Sequence, residues 1–330
     1  MTDLNNLFKH FKDIKAAVIG DIMLDTYWWG HVERISPEAP VPVVSLDRRE
    51  YRIGGAGNVA LNLAALGAKV STFSILGKDE EGKRLDGLLR EHSIDTSALL
   101  NSDSRITTSK ARIMGRNQQM LRLDSETTKD LLPEEEEQLL AELRRYVEKE
   151  KPQVLIFEDY NKGVLTERVI REAISLCRQA GVVTAVDPKK KNFFAFQGVD
   201  IFKPNLKEVK EGLNIPLEEV QLPALQSVHS LLREKLQHHI SFITLSEKGV
   251  FYQISDQAGI IPSHLRDIAD VSGAGDTVIA VASLVYAATK DIQLMAEIAN
   301  IAGGLVCESV GTVAINREQL LEECKTLIKQ

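Results

Sequence analysis

The octapeptide Asp270-Val271-Ser272-Gly273-Ala274-Gly275-Asp276-Thr277 runs directly into the apolar stretch Val278 to Ala288. Small residues at 273 to 275 expose consecutive backbone N–H groups where that stretch begins a helix, and such a terminus favours an anion in the way phosphate sites do. Asp276 then falls in the first turn. Bound phosphate repels a carboxylate beside it, so an acid there implies a task, and the task that fits is taking a proton from a substrate hydroxyl during phosphoryl transfer. An Asp that merely caps a helix is the competing reading of these eight residues.

Two other glycine-rich segments invite nucleotide readings that fail on chemistry. Gly55-Ala56-Gly57-Asn58-Val59-Ala60 satisfies the dinucleotide pattern G-x-G-x-x-A, with Asp79 at about the expected distance. That fold requires a buried strand leading straight into the first glycine, whereas Asp47 to Arg52 is charged. What survives is that Gly54, Gly55 and Gly57 let backbone approach a ligand, and that Asn58 at a helix start both donates and accepts, as sugar hydroxyls demand. Gly77 to Lys83 has the Walker A spacing, but Arg84 stands where Ser or Thr should ligate a metal. Three consecutive acids in that loop would also repel phosphates, so the segment reads as a solvated helix start.

The elements that position these residues alternate. Ala16 to Gly20, Val70 to Leu76, Val154 to Phe157, Val182 to Val186 and Ile240 to Leu245 are compact apolar runs that read as strands buried on both faces. Helical periods follow them, near Asn58, over Glu80 to Glu91, and over Thr166 to Gln179 with Thr166 as N-cap. The order predicts an α/β fold with a mainly parallel sheet covered by helices on both faces. Two stretches break the rhythm, about 27–52 with its three prolines and about 105–124 with a hairpin around Arg116-Asn117. They read either as a small β lid inserted in a single domain spanning 1–330, or as edge strands of the one sheet.

Lys plus Arg number 40 and Asp plus Glu 47, for a formal charge of −7, which suggests no nucleic-acid partner. The longest apolar run is about half of what a bilayer crossing needs, and the N-terminal residues have no signal-peptide pattern, so no membrane partner and a cytoplasmic location are expected. Cys177, Cys307 and Cys324 are too scattered for a disulfide framework or a zinc cluster.

Gly54 to Gly67 and Asp270 to Ala280 resemble, in order and spacing, the two signatures of the ribokinase-like, phosphofructokinase-B type family of carbohydrate kinases. Lys203-Pro204-Asn205-Leu206-Lys207-Glu208 is similar to the family's P-N-x-x-E segment and Thr244 to Gly249 to its nucleotide loop, with Ser272 where Thr is common. The resemblance implies Asp276 as general base and Gly273, Ala274 and Gly275 as the anion hole. It also implies ATP and Mg²⁺, the metal and its waters organised by Asn205 and Glu208, with Ser246, Lys248 and Gly249 near the ATP phosphates and ribose and Gly311 near the adenine. A monovalent cation near Asp270 is a further possibility it raises. Asp25, Gly55 and Asn58 would hold sugar hydroxyls.

Within the family, Gly20 to Asp25, Arg34 to Val43, Asp159 to Gly163 and Asp187 to Lys189 are most similar to the kinases of D-glycero-D-manno-heptose 7-phosphate. That likeness implies phosphorylation of the anomeric hydroxyl to the 1,7-bisphosphate, for ADP-heptose and lipopolysaccharide core synthesis. Asp159 would then belong to the acceptor site. Lys162, Lys189 and Arg112 are candidates for the existing phosphate, which needs fixed cations away from the transfer site. Another phosphosugar or ketose kinase, such as one acting on fructose phosphates, and a non-catalytic sensor on the same scaffold are the alternatives. The chain carries no H-x-G-H motif, so a separate nucleotidyltransferase is expected, as is a homodimer with the lid near its interface.

Overall fold

The structure is a computed structural model that describes residues 3–115, 118–217 and 219–328. In chain order it holds α1 (Leu4–His10), β1 (Lys15–Gly20), β2 (Ile22–Ile35), β3 (Pro42–Gly55), α2 (Ala56–Ala65), β4 (Lys69–Gly77), α3 (Glu80–Glu91) and β5 (Asp95–Ser102). Then come β6 (Ser109–Gly115), β7 (Gln118–Ser125), α4 (Pro133–Glu150), β8 (Val154–Glu158), α5 (Glu167–Ala180), β9 (Val183–Asp187) and the two-residue β10 (Ile201–Phe202). The last part holds α6 (Leu206–Leu213), α7 (Leu222–Leu236), β11 (Ile240–Thr244), β12 (Val250–Ile254), β13 (Gln257–Ile261), α8 (Ala274–Thr289), α9 (Ile292–Val306) and α10 (Arg317–Leu327).

Nine strands form one sheet in the order β13-β12-β11-β10-β9-β8-β1-β4-β5. It is parallel from β5 to β11 and antiparallel only at β12 and β13. Strand side chains alternate between faces, so Ala16 and Val18 of β1 enter one apolar core with α2, α8 and α9. Ala17 and Ile19 enter the other, with α4, α5 and α7. Continuous apolar strands are the expected consequence of covering both faces.

The stretches that break the βα rhythm form a separate four-stranded sheet, β3-β2-β6-β7, rather than edge strands of the large one. The turn at Arg116-Asn117 lies outside the described residues, but β6 and β7 on either side of it pair antiparallel as a hairpin does. A strand does lead straight into the glycines, contrary to expectation. It is β3, antiparallel to β2 in the small sheet, so the βαβ frame of a dinucleotide site is absent and the rejection stands for a different reason. Gly55 makes the bend from β3 into α2 at φ 59, and a Cβ there would lie 2.4 Å from the Asp21 carbonyl. Asp79 caps α3 by accepting from the Gly82 N–H, so the Walker-like segment is a helix start.

Candidate active site

β1, β8 and β9 end side by side and, with the first turn of α8 and the start of α2, converge on one carboxylate. Asp276 is 4% exposed. Its Oδ2 accepts from Asn58 Nδ2 at 2.8 Å and its Oδ1 from the Tyr160 hydroxyl at 2.8 Å. Burial lifts the Asp276 carboxyl to about 6, with Asp187 adding to the rise, while donation from Asn58 and Tyr160 and the nearby Lys203 work against it. Burial and the same carboxylate keep the Tyr160 hydroxyl well above its ordinary value, so it stays a donor. Asn58 is itself held by Asn62, whose amide donates to the Asn58 Oδ1 at 3.2 Å and whose Oδ1 accepts from Thr277 and from the Ile315 N–H. The side chain expected on sugar hydroxyls is therefore turned onto Asp276.

No side chain caps the N-terminus of α8. Gly273 takes the cap position at φ 78, where a Cβ would fall 2.8 Å from Asn58 Nδ2. The uncapped terminus and the Asp276 carboxylate thus share one turn, and such a terminus suits a phosphate. The acids beyond it are mostly committed. Asp187 meets Lys203 Nζ at 2.7 Å and Lys189 Nζ at 3.0 Å. Burial works to raise the Asp187 carboxyl, but the two ammonium groups overcome it and hold it below the ordinary value. Glu158 has neither carboxyl oxygen hydrogen-bonded, and burial, with Asp187 and Asp276 beside it, pushes its pKa well above the ordinary carboxylate value.

Asn205 and Glu208 form a reciprocal capping box at the start of α6: each side chain accepts from the other's backbone N–H at 2.8 Å. Glu208 also takes Lys189 at 2.7 Å. Lys189, expected at an acceptor phosphate, is thus paired with Asp187 of β9 and Glu208 of α6. Among the described residues no group of three or more His, Cys, Asp or Glu side chains could hold a metal by itself. A metal that arrives with a nucleotide and keeps most of its waters fits this donor set, since Asn205 and Glu208 can be reached through water.

Two further candidates for the acceptor phosphate are also paired. Arg112 lies on Asp25 at 2.7 Å, and Lys162 on Glu126 at 2.7 Å. Asp25 is thus an ion-pair partner as well as a possible hydroxyl acceptor, with the Thr312 hydroxyl at 3.4 Å. Asp159 accepts from the Asn161 N–H and from Asn192, and burial raises it to about 6; it braces the loop that carries Tyr160. Ser246 and Lys248 stand exposed on the turn after β11, whose end bridges to Asn205. Gly249 closes that turn at φ 93, where a Cβ would strike the Ile261 carbonyl. Gly311, expected by the adenine, donates its N–H to Asp270 and packs under Tyr27 and Arg52 of the small sheet. Asp270 also accepts from the N–H and hydroxyl of Ser272, and these donors outweigh its partial burial and hold its carboxyl below the ordinary value.

Tyr160, Lys203 and Glu158 were not singled out by sequence reasoning. Tyr160 lies inside the Asp159–Gly163 segment, but one aromatic hydroxyl has no spacing that marks it. A lysine 2% exposed, as Lys203 is, looks like any lysine in the chain until its surroundings are known.

The sequence profile described as pfkB family carbohydrate kinase matches residues 13–319. "Bifunctional protein HldE" of Geobacter sulfurreducens is 37% identical over 320 residues, 97% of this chain and 64% of that protein. The protein of the same name from Sulfurimonas denitrificans is 37% identical over 308 residues, covering 93% of this chain and 64% of its own length. The chain thus spans just under two thirds of the relatives it matches. Phosphofructokinase-2 from Escherichia coli in complex with potassium superposes with a TM-score of 0.80 at 16% identity, covering 96% of this chain and all of the other. Arabidopsis thaliana ribokinase complexed with ribose and ATP gives 0.73 at 16% identity, over 94% and 99%. At such identities the likeness is one of fold.

Proposed function

The chain belongs to the pfkB family of carbohydrate kinases, and from that premise we propose that it moves the γ-phosphoryl group of ATP to the anomeric hydroxyl of D-glycero-D-manno-heptose 7-phosphate. The observation that carries the chemistry is Asp276, buried and held by two donors in the same turn that forms the open terminus of α8. Its Oδ atoms take the hydroxyl proton as the acceptor oxygen bonds to the γ-phosphorus and the bond to the β-phosphate oxygen breaks. The N–H groups of the Gly273–Gly275 turn neutralise the transferring oxygens. Asn58 and Tyr160 orient the carboxylate. Mg²⁺, held through water by Asn205 and Glu208, would offset phosphate charge, and Asp270 is where a monovalent cation would sit.

The heptose phosphate is supported by the motifs at Gly20 to Asp25, Arg34 to Val43, Asp159 to Gly163 and Asp187 to Lys189, and by the relatives named Bifunctional protein HldE. The small sheet is read as the lid over the sugar and as the contact between two subunits. ATP consumption over a panel of free sugars, sugar monophosphates and nucleosides is the test. Turnover confined to heptose 7-phosphate supports the reading, and preference for a fructose phosphate or a free sugar replaces the substrate while leaving the class intact.

A further inference from the structure

Register gathers one cluster of charged side chains on a single face of the small sheet. Asp25 of β2 stands directly opposite Lys110 of β6, which stands opposite Asp124 of β7. Residues directly opposite in neighbouring strands, and those two apart along one strand, share a face. This face meets the loop after β8 at Tyr160 and the loop between α9 and α10 at Gly311 and Thr312. Its charges can be paired off. Arg112 takes Asp25 at 2.7 Å, Arg122 takes Asp124 at 2.9 Å, and Arg52 takes Glu50 at 2.8 Å. Just beyond β7, Glu126 is taken by Lys162.

Among the described residues of this face, Lys110 is the cation left with neither an ion pair nor a hydrogen bond. It is half-buried, its ammonium 5.6 Å from the centre of the Tyr160 ring whose hydroxyl donates to Asp276. Burial lowers its pKa, with the Asp25 charge working the other way. A half-buried ammonium with no ion pair or hydrogen bond is costly unless something anionic completes it. The place lies one tyrosine ring away from the base, on the side of the small sheet and not at the α8 terminus.

We propose that Lys110 binds the phosphate monoester that the acceptor already carries, and so sets the preference for phosphorylated over free sugars. This rests on the reading of the acceptor as a phosphosugar. It displaces Lys162, Lys189 and Arg112, whose charges are met within the protein.

The test compares wild type, Lys110→Met and Lys110→Arg, using heptose 7-phosphate and the unphosphorylated heptose as acceptors, with thermal melting as a check on folding. Losing a charge-assisted hydrogen bond should lower kcat/KM for the phosphosugar by about 10- to 100-fold in Lys110→Met, chiefly through KM. The ratio between the two acceptors should fall by the same factor, and Lys110→Arg should restore most of it. A wild type that prefers the phosphosugar beside a Lys110→Met variant that keeps the preference overturns the role of Lys110 alone. A rise in the KM for ATP instead assigns Lys110 to the nucleotide and also overturns it. A wild type without preference for phosphorylated acceptors overturns the substrate reading and the role together.

Discussion

At the scale of single residues, the base and its two donors determine how activity should depend on pH. The Asp276 carboxyl, raised to about 6 by burial, accepts a proton only when ionised, so kcat/KM should fall about tenfold per pH unit below that value. The Tyr160 hydroxyl donates to the carboxylate and so lowers this pKa. Tyr160→Phe should therefore move the acid limb of the pH profile upward, by about one unit if the bond contributes some 1.5 kcal/mol. Unmoved limbs would return Tyr160 to a packing role. Asp276→Asn keeps the shape and both neighbours but cannot take the proton, and kcat should drop by about 10² to 10⁴ with ATP affinity retained. Titrating nucleotide binding alongside turnover separates these two effects. Asp276 and its glycines were legible from the octapeptide because helix-start chemistry is local. Tyr160 was not, since it lies 116 residues away and meets Asp276 only through the packing of β8 against α8.

At the scale of elements, the first turn of α8 couples two tasks. Gly273 is in the left-handed region at φ 78, and a Cβ there would meet Asn58 Nδ2 at 2.8 Å, so Gly273→Ala should push Asn58 from Asp276 while closing the anion hole. Steady-state kinetics should show a higher KM for ATP together with a lower kcat, whereas a purely conformational cost would appear only as a lower melting temperature. The central strands and α3, α5 and α8 were readable because apolar runs buried on both faces, N-caps and the Gly-rich helix start are all local signals. Thr166, for example, does accept from the Val169 N–H at 3.2 Å. The two-residue β10 and the partly exposed edge strands β5 and β13 carry too little apolar periodicity to announce themselves.

At the scale of the whole molecule, the small sheet presents apolar side chains to solvent: Ile35 is 61% exposed, Val41 52% and Leu46 46%. Pro40 and Pro42 lack N–H donors and suit this outlying end of β2 and β3. A two-fold contact between copies would cover these side chains symmetrically. Val41→Asp with Val43→Asp should then weaken association and raise the sugar KM together. Sedimentation equilibrium decides it: a wild type that is monomeric at micromolar concentration rejects the dimer, and unchanged sugar kinetics in the double variant rejects the lid. By itself the sequence determined the α/β class, where the central strands fall along the chain and the glycine-rich start of α8, because each depends on residues a few positions apart. Only the tertiary structure decided that 27–52 and 105–124 join as a second sheet, that Arg112, Lys162 and Lys189 are already neutralised while Lys110 is not, and that Gly311 lies under Tyr27. The physical reason is that charge pairing and burial depend on which distant strands become neighbours, and a lysine's type carries no trace of the carboxylate it will meet.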